Sequence, residues 1–298
     1  NSFSNIIRAE GKAQVAMMGM ILGNLTNIVL DPIMILTFKW DVAGAAIATV
    51  IGNIVAFVFY LMHLLSKRTI LSIKLRDYRA KEKIASGVLA IGIPASINNI
   101  LMSTSNIVIN NLMRAHSDMA VAGLGVAFKV NMLVVMLLIG VGTGIQPLLG
   151  YCFGAGNRKR FVGVMKFSIV LALCMSAILT VVCYFGASGM VRAFLDNDAA
   201  YGYAFSFTRI LIYSGPILGV LFVFVNAIQA MGSAIPTLIL SISRQGIIYL
   251  PTLILFHYIF NTPKMLVMAQ PVADYLSVTL AIILFIATFQ KMKKKMIN

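Results

Sequence analysis

Asp31 is the residue whose position most demands a chemical explanation. It lies most of the way along an apolar run from Val15 to Phe38, close to the ~20 residues a helix needs to cross a bilayer. An ionised carboxylate is costly at such a depth, so intramembrane acids face a cavity or a partner and mark ion pathways. Pro32 follows it directly, with no backbone donor and a ring that clashes with the carbonyl of Ile28. Asn24 and Asn27 stand seven and four residues before Asp31, on the same helical face.

A second apolar run, 42–65, returns after Trp40, whose ring suits an interfacial position. In a tight antiparallel hairpin, equal distances from the turn mean equal depth. Asp31 and Thr49 are each nine residues from Trp40, and Asn27 and Asn53 are each thirteen. A carboxylate, two amides and a hydroxyl can therefore gather in one cluster. Such oxygens suit a sodium ion at Asp31, and the carboxylate alone could exchange a proton. The competing reading for the Asn residues is interhelical hydrogen bonding.

The third run carries Ser96, Asn99, Ser103, Asn106 and Asn110 at three- and four-residue steps, bordered by Asn98 and Thr104, with Pro94 near its start. An uncharged polar stripe of this length fits the wall of a watery substrate cavity, and helix-to-helix hydrogen bonding is the alternative. The fourth run holds Lys129, a cavity guard or a snorkelling side chain, then Gly140, Gly142, Gly144, Gln146 and Pro147, which should loosen its far end. Gly215-Pro216 and Asn226 interrupt the sixth, where the proline marks a hinge or a static kink. Arg244 and Asp274 fall at similar depths on adjacent runs and read first as a structural ion pair.

The elements that must hold these residues are membrane helices. The chain is 60% hydrophobic and 11% charged, with mean hydropathy +0.93, whereas soluble domains carry about 25% charged residues. Eight apolar spans are predicted: 15–38, 42–65, 84–112, 120–149, 164–187, 203–230, 235–259 and 265–289. The net charge of +15 sorts by side. Seventeen basic residues fall on alternate loops (Arg8 and Lys12; seven from Lys67 to Lys83; Arg158, Lys159, Arg160 and Lys166; four from Lys291 to Lys295). The opposite side has only Lys39, Arg114, Arg192 and Lys264, and Arg209 lies within a span. The richer side, with both chain ends, is predicted to be cytoplasmic. The charge therefore calls for no nucleic-acid partner. Eighteen Met residues suit packing or a wall for varied apolar ligands.

Several chemistries lack their residues. Cys152, Cys174 and Cys183 have no metal or redox spacing, and His63, His116 and His257 are scattered. Gly150–Asn157 lacks the Lys and hydroxyl of a phosphate loop. No cofactor is expected, and energy would come from an H+ or Na+ gradient.

Ile7-Arg-Ala-Glu-Gly-Lys-Ala13 and Ile228-Gln-Ala-Met-Gly-Ser-Ala234 share Ile, Ala, Gly and Ala in register, 221 residues apart. Parallel repeats of this kind occur in secondary transporters. The expected organisation is 1–65 as the end of an N-terminal lobe, 66–83 as a basic cytoplasmic linker, 84–290 as a six-helix C-terminal lobe and 291–298 as a basic tail.

Arg8-Ala-Glu-Gly-Lys12, Asn27-Ile-Val-Leu-Asp-Pro32, Val42-Ala-Gly-Ala-Ala46 and Gly142-Thr-Gly-Ile-Gln-Pro-Leu-Leu-Gly-Tyr-Cys-Phe-Gly-Ala-Gly-Asn157 together resemble the multidrug and toxic compound extrusion (MATE) transporters, in particular the bacterial DinF/MepA-like branch. The resemblance runs along the whole chain. It implies an all-α polytopic protein with eight transmembrane helices here, matching helices five to twelve of a twelve-helix, two-lobe (6+6) transporter and lacking the first four. It also implies that Asp31, Asn27 and Thr49 occupy the positions of the cation site of the N-terminal lobe. Met102 and Asn226 stand where other branches have sodium-binding acids, which favours coupling through Asp31.

The resulting expectation is a multi-pass antiporter of the bacterial inner membrane, a monomer, exporting amphipathic or cationic drugs in exchange for H+ or Na+. Its cation-coupling residues would be Asp31, Asn27, Thr49 and Asn53. Its cavity candidates are Ser96, Asn99, Met102, Ser103, Asn106, Asn110 and Asn226, and its hinge candidates are Pro32, Gly215 and Pro216. A lipid-linked sugar flippase is the nearer rival, although it would call for a more cationic cavity than Lys129 and Arg244 can make. A membrane-embedded enzyme is the remote one, since no convergent catalytic groups appear.

Overall fold

The computed structural model describes residues 2–66, 69, 84–195 and 198–297, and it separates the chain into two compact units, Asn1–Lys83 and Ile84–Asn298. Most of the expected linker, 66–83, lies outside the described residues, as do the side chains of 292–298.

The first unit is three helices. Amphipathic α1 (Ser2–Ala9) buries Ser4 and Ile7 and ends at Gly11, whose φ of +89° gives the turn a left-handed residue. Helix α2 (Ala13–Pro32) continues through a π-helical turn, Ile33–Thr37, before α3 (Asp41–Leu65) runs back. Small residues set the α2–α3 spacing: Gly23 and Gly52 are buried, and a methyl on Gly23 would meet the Gly52 carbonyl oxygen at 2.8 Å. This is the small-residue seam that lets membrane helices approach closely. The Tyr60 hydroxyl donates to Ala16 O at 2.8 Å and ties α3 to the start of α2.

The second unit comprises α4 (Ile84–Arg114), α5 (Asp118–Gly154), α6 (Arg158–Arg192), α7 (Asp198–Ile212), α8 (Gly215–Ala230), α9 (Ala234–Ile242), a second π-turn (Ser243–Tyr249), α10 (Leu250–Phe260) and α11 (Pro263–Ile297). Its buried apolar residues form two main clusters. One, around Leu138, Leu149, Phe161, Leu221 and Ile228, joins α5, α6, α8 and α11. The other, around Ile109, Leu124, Phe207, Leu253 and Leu266, joins α4, α5, α7, α10 and α11.

Among the described residues six helical segments are long and apolar enough to cross a membrane, and a seventh follows if α7 and α8, bent by 52°, are taken as one span. That bend falls at Tyr213–Ser214, directly before the predicted Gly215-Pro216 break. The third expected span is the 31-residue α4, which carries the polar stripe and is not among those six. The glycine-rich end of α5 does not loosen. The helix runs unbroken through Pro147 to Gly154, and Gly142 serves packing instead, since a methyl there would meet Phe222 O of α8 at 3.1 Å.

The internal repeat is visible in the backbone. Helix α1 ends at Ala9 and α2 begins at Ala13; 221 residues on, α8 ends at Ala230 and α9 begins at Ala234. The glycine of each turn has positive φ, +89° at Gly11 and +66° at Gly232.

Gly23→Ala should destabilise the protein by about 1–3 kcal/mol through overpacking of the hairpin. Gly125→Ala, where a methyl meets nothing within 4 Å, should be neutral or gain up to about 1 kcal/mol. Thermal unfolding in detergent, followed by far-UV circular dichroism, compares the two.

Candidate functional site

The regular geometry of α2 breaks directly after Asp31. Pro32 withholds a donor from the carbonyl of Ile28, and the chain widens so that Phe38 N–H reaches Ile33 O at 3.1 Å, five residues back. Turns of this kind gather at functional sites. The turn at Lys39–Asp41 is sharp, with positive φ at Lys39 (54°) and Asp41 (43°).

Within this frame the Asn27 amide makes the central contacts. Its Nδ2 donates to Asp31 Oδ1 at 3.2 Å and to Thr49 Oγ1 at 3.3 Å. The Thr49 hydroxyl spends its proton on Ala45 O at 2.9 Å, so toward Asn27 it can only accept. Asn27 Oδ1 and Asp31 Oδ2 remain as acceptors, and both belong to the oxygen set a hard cation takes. A cavity of about 340 Å³ opens beside the pair, lined by Asn24, Asn27, Thr49 and Asn53 on its polar side and by Phe3, Phe57 and Tyr60 on its aromatic side.

The hairpin thus joins Asp31, Asn27 and Thr49 and places Asn53 and Asn24 beside them. The depths agree with the count out of Trp40: Asn27 lies against Gly52, the neighbour of Asn53, and its amide reaches one turn along α3 to Thr49.

Glu10 was given no role by spacing. Its side chain is 3% exposed, paired to Lys12 Nζ at 2.7 Å and accepting from Thr69 Oγ1 at 2.9 Å. The Arg-Ala-Glu-Gly-Lys motif is therefore a folded turn with its own internal ion pair.

In the second unit Ser96, Asn99, Met102 and Ser103 lie exposed along α4, while Asn106 and Asn110 are half-buried. Asn110 turns its amide back to Asn106 O at 2.7 Å. Asn226 does not join this stripe. It is 6% exposed, donates to Phe222 O at 2.8 Å and packs against Gly142. Lys129 is exposed, its Nζ 5.7 Å over the Phe194 ring.

Arg244 and Asp274 pair as expected. Arg244 donates through Nε and Nη2 to Asp274 Oδ1 at 3.4 and 3.2 Å, and Gln270 Nε2 adds a third bond to that oxygen at 3.1 Å. Asp274 is 2% exposed. Arg244 sits in the second π-turn, where Ser105 Oγ donates to Gln245 O at 3.3 Å.

With this geometry in view, the comparisons with known proteins are decisive. The MatE family model matches residues 94–255, more than half of the chain. The chain belongs to the MatE family. Multidrug export protein MepA of Staphylococcus aureus is 30% identical over 259 residues, 85% of this chain and 56% of that protein. MepA of Staphylococcus saprophyticus is 27% identical over 254 residues, with the same coverage. A crystal structure of a MATE protein in complex with MaL6 superposes with TM-score 0.90 at 25% identity, over 98% of this chain and 66% of the other. The Vibrio cholerae MATE transporter VcmN shares the fold at TM-score 0.88 and 20% identity, over 97% and 65%. This MatE chain spans about half the length of the curated relatives it matches and about two thirds of the solved chains. With its apolar helices, it is a multi-pass membrane protein.

Asp274→Asn leaves the half-buried Arg244 guanidinium without its counter-charge and should destabilise the protein, by up to about 3 kcal/mol. The double variant Arg244→Met with Asp274→Leu should recover most of that loss. Unfolding midpoints of the three proteins in one detergent test this.

Proposed function

We propose that this protein is part of a secondary active antiporter of the bacterial inner membrane that exports amphipathic or cationic small molecules in exchange for H+ or Na+. The observation that carries the reading is the Asn27 amide, which bonds at once to the Asp31 carboxylate and to Thr49 on the facing helix, in a chain of the MatE family. The MepA relatives, whose names are those of multidrug export proteins, support the substrate class.

The coupling step follows from the hydrogen-bond inventory. An ionised Asp31 accepts from Asn27. A proton on the carboxyl, or a sodium ion shared among Asp31 Oδ2, Asn27 Oδ1 and the amides of Asn24 and Asn53, changes what that bond is worth. Pro32 and the π-turn begin at the next residue, so the change acts on a segment already released from regular α-helical bonding. The cation thereby biases the bend of the hairpin, and a gradient of that cation drives release of substrate outside. The α4 stripe from Ser96 to Asn110, neutral and polar, supplies hydrogen bonds to a cationic substrate without repelling it.

The test uses the protein expressed from its whole gene and reconstituted in proteoliposomes, with efflux of a fluorescent organic cation under separately imposed pH and sodium gradients. Asp31→Asn should abolish gradient-driven efflux while reaching the membrane normally, and the gradient that drives the wild type names the ion. Undiminished ion-driven efflux by Asp31→Asn would rule this coupling site out.

A further inference from the structure

The outward face of the second unit carries an arrangement of cations and rings that the proposed coupling site does not use. Helix α6 ends at Arg192 and α7 begins at Asp198, on the side poor in basic loops. Arg192 lies 5.2 Å over the Tyr201 ring, and the Tyr201 hydroxyl is 2.9 Å from Ser188 Oγ. One step further inward, the Arg209 guanidinium sits 4.8 Å from the Tyr184 ring centre and 4.6 Å from that of Phe205. Arg209 is exposed, and among the described residues neither it nor Arg192 forms an ion pair. Among the described residues the acid in this neighbourhood is Asp198, which lines the hollow shared with Arg192 and Tyr201 and lies about three turns from Arg209 along α7.

Directly beneath this pair of cations is a groove of about 290 Å³ lined by Thr180, Val181, Tyr184, Phe185, Ile212, Tyr213 and Pro216. Tyr184 belongs to both, with one face toward Arg209 and its edge in the groove wall. The groove is almost wholly apolar, and it sits at the 52° bend between α7 and α8.

We propose that this face binds one anionic phospholipid of the outer leaflet, its phosphate held by Arg209 and an acyl chain laid in the groove at the bend. The order of chemistry along the face, charge above and hydrocarbon below, is the order within a lipid. A guanidinium presents parallel donors that match phosphate oxygens, and the aromatic rings that flank Arg209 fix its plane at the membrane interface. Charge selects the occupant. A cationic drug meets the exposed Arg209 guanidinium, a zwitterionic lipid brings its own cation to it, and an anionic headgroup supplies a counter-charge. A chain seated against Ile212, Tyr213 and Pro216 touches both helices at the bend. This inference is independent of the role of Asp31.

The test is native mass spectrometry of the detergent-purified, delipidated protein titrated with phosphatidylglycerol or phosphatidylcholine. Phosphatidylglycerol should be retained roughly tenfold better, the difference expected of a charge-assisted contact. Arg209→Gln should remove that preference, whereas Arg114→Gln, an exposed cation elsewhere, should keep it. Val181→Trp fills the groove without altering a charge and should lower retention of both lipids. Equal retention of the two lipids by the wild type overturns the proposal without recourse to any variant. So does an unchanged preference in Arg209→Gln. Competition by glycerol phosphate as effective as by the lipid would mark a soluble-anion site and overturn it too.

Discussion

A polar group without a partner in hydrocarbon costs several kcal/mol, so a membrane-spanning chain can leave regular α-helix only where something else satisfies the groups it frees. This constraint organises the protein. The first π-turn follows Asp31 and Pro32, where Asn27 and Thr49 supply hydrogen bonds. The second contains Arg244 and Gln245, with Asp274, Gln270 and Ser105 bonded to them or beside them. The α7–α8 bend places buried Ser214 at the break, its hydroxyl donating to Leu211 O at 3.1 Å. Each irregularity therefore coincides with a polar cluster, and each such cluster marks a place where the chain can bend without exposing backbone to lipid.

The 221-residue repeat makes the two hairpins comparable position by position, although their π-turns, Ile33–Thr37 and Ser243–Tyr249, fall at different positions in it. Thr49 corresponds to Gln270, Asn53 to Asp274 and Asn24 to Gln245. In the first hairpin the carboxylate is Asp31, half-buried and bonded only to a neutral amide. In the second it is Asp274, fully buried with a guanidinium fixed against it. One hairpin holds a carboxylate with a free oxygen, and the other holds one whose counter-charge is part of the chain. A mobile cation has something to gain at the first and must displace Arg244 at the second, which is why the coupling reading rests on Asp31.

Much of this was legible in the sequence because bilayer thickness and helix rise leave few choices. The hairpin around Trp40, the Asp31–Asn27–Thr49 grouping, the Arg244–Asp274 pair and the bend near Gly215-Pro216 all follow from counting residues along helices of known pitch. What counting missed depends on contacts between helices. Asn27 lies level with Gly52 and Asn53 as counted, yet its amide turns one helical turn away to Thr49, a rotamer choice that spacing does not carry. The Gly140–Gly144 run reads as flexible in isolation, yet Gly142 is small because α8 lies against it. Glu10 looks like a loop acid until its ion pair with Lys12 and the hydrogen bond from Thr69 bury it. The aromatic frame around Arg209 joins residues of two helices that no single-helix spacing connects.

The placement of the intramembrane cations also bears on what the protein can carry. A carrier of pyrophosphate-linked lipids needs positive charge free to meet its cargo along the path. Sequence position alone leaves Lys129 and Arg244 as candidates. Arg244 is already committed to Asp274. Arg209 is exposed and flanked by Tyr184 and Phe205, and Lys129 lies exposed over Phe194. The polar stripe from Ser96 to Asn110 has amides and hydroxyls and no cation. The stripe itself offers hydrogen bonds to a cation and no counter-charge to a diphosphate, and this supports the proposed export of organic cations.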